Sequence, residues 1–295
     1  MSLLLKRGKT MSVNNEFDTL KSVIVCSPLF MEISEVINET QKHFIDENIN
    51  KEVAVEQHNT FVKTMEQHGV EVISLPAVRN FPEQVFTRDI GFTLGNTIFI
   101  SEMESEIRRG EEEVFKAWLE KQQVKLHEMK GHSIEGGDVI IHGRSIYVGI
   151  SHRTTREAID NLQTILPDYE VIPIPFKEKY LHLDCVFNIL SPTEALIFPD
   201  ALDRKEYRML TSRFDCIEIT EQEQFTLGTN VLSIGNKKVF SLPINKGVNS
   251  ELRARGYEVM EVDISEIIKS GGSFRCCTLP IMREDSYNNE SAPAS

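Results

Sequence analysis

The fold is decided by a stretch that reads DVIIHGRSIYV, residues 138–148. Two runs of apolar and β-branched residues flank Gly143, which is the pattern of a β-hairpin. Residues 154–166 then carry apolar side chains at helical spacing behind a threonine-rich capping box. A short apolar strand follows over residues 169–172. The stretch therefore opens a β-β-α-β unit.

The same unit recurs along the chain. Hairpins are also predicted over 92–100, 185–198 and 231–242. The helical segments cover residues 50–68, 110–122, 154–166, 203–213 and 247–255. The closing strands cover residues 70–74, 124–127, 169–172, 215–219 and 257–262. Closing strands spaced by about 40 to 55 residues lie in the range in which internal repeats are suspected.

The first unit has one strand of its own, residues 22–26, and lacks a hairpin partner. We expect the C-terminal stretch 273–282 to supply that partner, so that the chain ends meet and a ring of five units closes. An ordinary α/β sandwich with coincidental spacing is the alternative. The ring is favoured because all five units share one order and one period.

The boundaries of the domain follow from composition. No Pro-, Gly- or Ser-rich linker divides the chain, so we expect a single catalytic domain over residues 12–283. Residues 1–11 are expected to be an N-terminal extension, and Met11 is a candidate start that would make the first ten residues an addition. Residues 284–295 are polar and are expected to be a disordered tail.

Charge and composition exclude several classes of protein. The 295 residues carry a formal net charge of −13 at pH 7, which disfavours contact with nucleic acid phosphates. No apolar run approaches the roughly 18 residues that span a membrane. Five cysteines without a C-x-x-C pair indicate a reducing, cytoplasmic setting. We therefore expect neither a nucleic acid partner nor membrane association.

Polar residues stand where the first strand of a unit begins. T-R-D at 87–89, E-G-G-D at 135–138 and H-L-D at 182–184 precede hairpins, and a double cysteine at 276–277 precedes the last strand. In a ring these points converge at one end of the axis. A thiol, an imidazole and paired carboxylates suit covalent catalysis on a guanidinium: the carboxylates match the cation, the thiol attacks, and the histidine protonates the departing amine.

The stretch GGSFRCC, residues 271–277, carries the candidate nucleophile. Two glycines permit a tight turn or a close approach, and Arg275 is a cation that can lower the pKa of the neighbouring thiol. Alone, the stretch also fits a loop with two inert, buried cysteines. No H-E-x-x-H, paired-cysteine or G-x-S-x-G motif indicates a zinc site or a serine hydrolase.

This ordered set resembles the guanidine-modifying superfamily, the penteins, which includes arginine deiminase, dimethylarginine dimethylaminohydrolase, agmatine deiminase and glycine amidinotransferase. The resemblance covers residues 17–283 and implies an α/β fold of the five-bladed α/β propeller type. It implies that Cys276 is the nucleophile and that His182 is the general acid and then the base. Glu135 would orient His182 or add a third carboxylate. The implied substrate-binding residues are Asp89 and Asp184 for the guanidinium, Arg153 and Arg108 for an α-carboxylate, and Glu83 as a further acid.

The motifs do not fit one member of the superfamily alone. T-R-D and H-L-D fit arginine deiminases and amidinotransferases, whereas the length, the R-R-G-E stretch at 108–111 and the double cysteine fit dimethylarginine hydrolases. The resemblance implies a hydrolase of arginine or an N-methylated arginine that uses no cofactor and no metal and yields a ureido product such as citrulline. A loop near residues 28–40 is a candidate lid over the small-molecule guanidino substrate.

Two alternatives remain open at this point. An amidinotransferase would share the first half of the reaction and pass the amidino group to an amine. A non-catalytic propeller would bind an arginine-like ligand or a protein, and it predicts that Cys276, His182 or Asp89 is out of place. A homodimer is expected by analogy.

Overall fold

Short strands in the described part of the chain, residues 11–284 of a computed structural model, form five three-stranded sheets. In every sheet the middle strand pairs antiparallel with one neighbour and parallel with the other. The strands are β1 (Leu20–Cys26), β2 (Glu71–Leu75), β3 (Gly91–Leu94), β4 (Thr97–Ile100), β5 (Leu126–Glu128), β6 (Val139–His142), β7 (Ser145–Ile150), β8 (Glu170–Pro175), β9 (Phe187–Ile189), β10 (Glu194–Ile197), β11 (Asp215–Glu218), β12 (Leu232–Gly235), β13 (Lys238–Ser241), β14 (Glu258–Glu261) and β15 (Leu279–Arg283).

Helices connect the parallel strands, since a parallel pair requires a crossover. The α-helices are α1 (Glu39–Phe44), α2 (Lys51–Gln67), α3 (Glu111–Gln122), α4 (Arg156–Ile165), α5 (Arg204–Arg213), α6 (Glu221–Phe225), α7 (Lys246–Ala254) and α8 (Ser265–Ile268). Short 3₁₀ turns cover Glu106–Arg108, Gly136–Asp138, Leu183–Cys185 and Pro199–Ala201. Helices α2, α3, α4, α5 and α7 make the five crossovers, at the positions that the sequence pattern predicted.

The two ends of the described chain meet in one sheet, whose strand order is β15-β1-β2. Strand β15 pairs antiparallel with β1, with Val23 opposite Pro280 and Ile24 opposite Leu279. The C-terminal strand therefore supplies the first strand of the first unit. This confirms the prediction that residues 273–282 complete the unit begun by 22–26.

The local sequence explains these elements. Val139, Ile140 and Ile141 of β6 are all buried, as expected of a strand covered on both faces. In α4 the apolar positions Ala158 and Leu162 face the core, so the helix packs one stripe against its sheet.

The edges of the described chain bear on the predicted boundaries. Apart from Met11 and Glu284, the predicted extension and tail lie outside the described residues. Met11 is buried in an apolar cluster, and Glu284 pairs with Lys21 at 2.5 Å. Within residues 11–284, no helix combines the length and the apolarity that crossing a membrane requires.

Candidate active site

Each of the five units contributes one polar side chain from the same place, within three residues of its first strand. Asp89 precedes β3, Asp138 precedes β6, Asp184 precedes β9, Asn230 precedes β12 and Cys276 precedes β15. All five side chains are buried. The repeat thus explains why residues far apart in the sequence meet at one site.

Cys276 lies at the end of the glycine turn and is held by its backbone. Its N–H donates to Asn230 Oδ1 at 3.1 Å, and its carbonyl accepts from Arg88 N at 3.0 Å. Gly271 supports the turn with φ of +93°, a conformation that favours glycine. The thiol contacts both oxygens of Asp184, at 3.9 and 3.8 Å.

The thiol of Cys276 is a neutral group in this structure. Burial and then the nearby carboxylates, Asp184 first, raise its pKa well above the ordinary value. The sequence led us to expect a lowered pKa because Arg275 is adjacent. That expectation is wrong, since the Arg275 guanidinium is paired with Glu16 and Asp184 instead of the thiol.

His182 and Glu135 form a buried pair. His182 Nε2 lies 2.8 Å from Glu135 Oε2, and neither side chain is accessible to solvent. Burial alone would lower the pKa of His182, but Asp89, Glu135 and Asp138 together raise it to about 9. Burial would likewise raise the pKa of Glu135, but the hydrogen bond and charge of His182 lower it to about 2. At neutral pH the pair is therefore an imidazolium and a carboxylate.

Two buried polar atoms, one on Asp89 and one on His182, face each other at the site. Asp89 Oδ1 is 3.6 Å from His182 Nδ1, and neither atom has a hydrogen-bond partner among the described residues. Gly137 packs against both, and a Cβ at that position would lie 2.7 Å from each of these two atoms. Buried polar atoms without partners are rare and costly. The pair is therefore suited to receive polar groups from a bound molecule.

The two arginines predicted to bind a carboxylate are both buried and paired with acids. Arg108 Nη1 donates to Asp89 Oδ2 at 2.6 Å, and Arg108 also pairs with Glu111 at 2.8 Å. Arg153 Nη1 lies 3.4 Å from Glu135 Oε1, and its Nη2 donates to the carbonyl of Ile37 at 3.2 Å. Burial would lower the pKa of Arg108, but Glu111 and Asp89 hold it well above the ordinary value.

Asp184, the second predicted guanidinium ligand, is paired with Arg275. Arg275 Nε lies 3.3 Å from Asp184 Oδ2. The other end of that guanidinium binds Glu16, with Nη1–Oε2 at 2.5 Å and Nη2–Oε1 at 3.1 Å. Burial would raise the pKa of Glu16, but Arg275 and Arg88 lower it to about 2. Asp184, although buried, thus lies beside a fixed cation.

Glu83 contacts the segment next to the candidate lid. Its carboxylate accepts from Gln41 Nε2 at 2.8 Å and from Ser270 Oγ at 2.9 Å, and burial raises its pKa to about 7. Asn38 Nδ2 donates to the Ser270 carbonyl at 3.0 Å. A cavity of about 440 Å³ lies between residues 36–39, 152–153 and 178–181. Segment 37–41 is thus tied over the site by polar contacts, next to a cavity that reaches Arg153.

Several residues of the site escaped the sequence analysis. Asn230 could have been found, because it precedes β12 as Asp89 precedes β3. Glu111 lies in the R-R-G-E stretch without an assigned role. Glu16 and Gln41 have no sequence signal that points to the site.

One group in the described chain could offer ligands to a metal ion. Atoms of Asp89, Glu135 and His182 lie within 4.8 Å of one another. A cation there would compete with the Arg108–Asp89 and His182–Glu135 pairs. The absence of a metal stays a prediction.

Five β-β-α-β units, with a thiol, a histidine–glutamate pair and two carboxylates before their first strands, are the features of the pentein superfamily. Within it, the chain belongs to the dimethylarginine dimethylaminohydrolase family. The protein-family model described as "N,N dimethylarginine dimethylhydrolase, eukaryotic" matches residues 28–283 of the sequence.

The chain is also similar to several named proteins. The uncharacterized protein YkgA of Bacillus subtilis (strain 168) is 54% identical over 268 residues, which are 91% of this chain and 94% of YkgA. The N(G),N(G)-dimethylarginine dimethylaminohydrolase of Pseudomonas aeruginosa is 29% identical over 231 residues, 77% of this chain and 87% of that enzyme. The N-terminal domain of ArgZ, an arginine dihydrolase of Synechocystis, was solved as a mutant bound to substrate. It matches with a TM-score of 0.83 at 26% identity, covering 89% of this chain and 98% of that domain.

Proposed function

We propose that the protein hydrolyses the guanidino group of an arginine-like substrate to a ureido group, with release of ammonia. The observation that carries this proposal is a pair of buried atoms without hydrogen-bond partners, Asp89 Oδ1 and His182 Nδ1, in a site that also holds Cys276 and Asp184. A guanidinium supplies both things that this site lacks, N–H donors for the carboxylates and a positive charge beside the thiol.

The first step is formation of the thiolate. A guanidinium held between Asp89 and Asp184 places a cation beside Cys276 and offsets the carboxylates that raise the pKa of the thiol. The thiol proton then leaves to solvent. Substrate binding thus generates the nucleophile, and the free site keeps the thiol protonated.

Bond exchange at the guanidinium carbon follows. Cys276 Sγ attacks this carbon, and His182 gives its proton from Nδ1 to the departing nitrogen, which leaves as ammonia. A thiouronium remains on the sulfur. Water then loses a proton to the neutral His182 Nδ1 and attacks the same carbon. The C–S bond breaks, the ureido product leaves, and the thiolate takes back a proton. Glu135 holds His182 through Nε2 in both steps.

The two carboxylates favour a guanidino group whose terminal nitrogens carry no methyl groups. A terminal NH₂ can donate to Asp89 or Asp184, whereas a dimethylated nitrogen has no proton to give and leaves a buried carboxylate unpaired. The similarity to an arginine dihydrolase supports the same choice. We therefore place unmethylated arginine ahead of dimethylarginine.

The distal end of the substrate lies toward Arg153 and Glu83, beside the cavity under segment 36–39. Arg153 receives the α-carboxylate in this proposal. Arg108 has its donors on Glu111, Asp89 and the carbonyl of Phe86, so we assign it to holding Asp89.

The whole-chain arrangement fits this function. We propose that the five sheets are the blades of a propeller that forms one domain over residues 12–283. Support comes from the β15–β1 pairing and from the five equivalent side chains that meet before the first strands. Contact of Cys276 with Asp184, and of His182 with Asp89, weighs against a non-catalytic propeller.

A product assay tests the proposal. The protein is incubated with arginine, monomethylarginine, dimethylarginine and agmatine, and ureido product and ammonia are measured, with Cys276→Ser as control. We expect citrulline from arginine and none from the variant. Ornithine together with a new guanidino compound, appearing only when glycine or another amine is added, would identify an amidinotransferase. No turnover of any compound would contradict both.

A further inference from the structure

Asp89 and Asp184 are the carboxylates proposed to bind the guanidinium of the substrate. Each of them already lies beside the guanidinium of an arginine of this chain. Arg108 Nη1 lies 2.6 Å from Asp89 Oδ2, and Arg275 Nε lies 3.3 Å from Asp184 Oδ2. An arginine side chain carries the same functional group that the proposed substrate presents. Since a guanidinium pairs best with a carboxylate through two parallel N–H donors, either arginine could fill the site.

Beside Asp89, Glu111 keeps Arg108 from filling the guanidinium site. It binds Arg108 through Nε at 3.2 Å and through Nη2 at 2.8 Å, and the carbonyl of Phe86 accepts from Nη2 at 3.2 Å. Only Nη1 is directed to Asp89. Oδ1 of Asp89 is consequently left without a hydrogen-bond partner.

Beside Asp184, Glu16 keeps Arg275 from filling the guanidinium site. It binds Nη1 and Nη2 of Arg275 at 2.5 and 3.1 Å, and the carbonyl of Val139 also accepts from Nη2 at 2.9 Å. Both terminal nitrogens of this guanidinium are therefore occupied, and only Nε of Arg275 lies near Asp184. The hydrogen bonds that reach the carboxylate of Asp184 come from the thiols of Cys185 and Cys276, which are weak donors.

We propose that Glu16 and Glu111 are positioning residues that keep the chain's own guanidinium groups out of the guanidinium site. Glu16 holds Arg275 through its two terminal nitrogens, and Glu111 holds Arg108 through Nε and Nη2. In each case one carboxylate oxygen of the neighbouring aspartate is left open for the ligand. The arginine still neutralises part of the carboxylate charge. This inference rests on the proposed function, because it takes a guanidinium to be the ligand.

Loss of either glutamate frees an arginine to pair with its aspartate through two donors. A ligand must then displace that arginine before it binds. Hydrogen bonds to charged groups contribute enough that we expect methylguanidinium to bind about tenfold to a hundredfold more weakly. Removal of the arginine as well removes the competitor, so affinity should return. A role limited to stabilising the fold predicts no such return.

Calorimetric titration with methylguanidinium tests this, with Cys276→Ser as the parent. The probe has no carboxylate, so it reports on the guanidinium site alone. Glu16→Gln and Glu111→Gln should each weaken binding about tenfold or more. The double variants Glu16→Gln/Arg275→Met and Glu111→Gln/Arg108→Met should bind within about threefold of the parent. Glu157→Gln on the exposed face of α4 is the matched control.

Three outcomes would overturn the inference. Single variants that bind the probe like the parent show that the arginines do not compete, and double variants no better than the singles show a structural role. In both cases the parent still binds methylguanidinium, so the proposed function stands. If the parent itself does not bind the probe, the proposed function fails with the inference. Should Glu16→Gln not fold, as judged by circular dichroism, the Glu111 pair of variants decides.

Discussion

Two regions of the site carry the same array of ionisable groups, an aspartate, an arginine and a glutamate, but are built differently. In one, Asp89 is paired with Arg108 and Arg108 with Glu111, three positions further along the chain. In the other, Asp184 is paired with Arg275 and Arg275 with Glu16, 259 positions away. The first array is local and the second exists because the chain ends meet beside β1. Pairing of β15 with β1 therefore completes half of the site as well as the first sheet.

The arrays also differ in what their glutamates balance. Glu111 pairs with Arg108, which shares its charge with Asp89. Glu16 lies among Arg275, Arg88 and Arg283, and these cations lower its pKa although burial alone would raise it. Glu111 pairs with a single arginine, whereas Glu16 offsets the positive charge of three buried arginines.

Removing the aspartate at the centre of either array should have the largest effect. Asp89→Asn and Asp184→Asn each take away a charged acceptor for the guanidinium and leave a buried arginine with its glutamate as the remaining charged partner. We expect kcat/KM for arginine to fall about a thousandfold in each, the sum of two lost charge-assisted hydrogen bonds. Steady-state assays measure this, with exposed Asp160→Asn as control. A fall below tenfold in either variant would contradict its assignment.

Substitution of the two glutamates should lower the free energy of unfolding by different amounts. Glu16→Gln leaves three buried arginines short of one negative charge, and breaking a buried pair costs about 3 to 5 kcal/mol. Glu111→Gln leaves Arg108 with Asp89 and should lower the free energy of unfolding by less. Urea titration of both variants measures the difference. Equal losses, or a larger loss for Glu111→Gln, would contradict the comparison.

The pH dependence should report on His182. Its pKa of about 9 means that the imidazolium persists at neutral pH and is lost as pH rises through 9. We expect kcat for arginine, measured at saturating substrate where the thiol is already ionised, to decline as pH rises through this range. Glu135→Gln keeps an oxygen acceptor but removes the negative charge that helps to raise this pKa, so the decline should begin at lower pH by about one unit or more. Initial rates between pH 6 and 11 measure both profiles. An unchanged alkaline limb in Glu135→Gln would remove His182 as its origin.

The smallest effect is expected from the second cysteine. Cys277 is fully buried in an apolar cluster and has no contact with Asp184 in the described structure. Cys277→Ser should cost about 1 to 3 kcal/mol of stability because a hydroxyl replaces a thiol in an apolar site. Its kcat/KM should stay within about twofold of the wild type. A variant as inactive as Cys276→Ser would assign the reaction to the other thiol.

The sequence predicts much of this fold because each unit repeats the same apolar pattern and each motif stands at a strand start. Asp89, Asp184 and Cys276 could be placed together on that ground alone. Asn230 fills the equivalent position in the fifth unit and was missed only because no motif surrounds it.

Other parts of the site depend on tertiary contacts that no local pattern encodes. Glu16 reaches Arg275 only after β15 pairs with β1. Arg275 was expected to act on the adjacent thiol, yet neighbours in the sequence need not direct their side chains to one place, and its guanidinium faces Glu16. Gln41 meets Glu83 and Ser270 through a loop whose path the sequence does not specify.

Covalent trapping tests the central claim most directly. The wild type is mixed with arginine and quenched in acid within one turnover, and its peptides are analysed by mass spectrometry. The account predicts an amidino adduct on Cys276, absent from Cys276→Ser, that disappears as citrulline forms. Citrulline formation without any adduct, or an adduct on Cys277 or Cys185 instead, would contradict it.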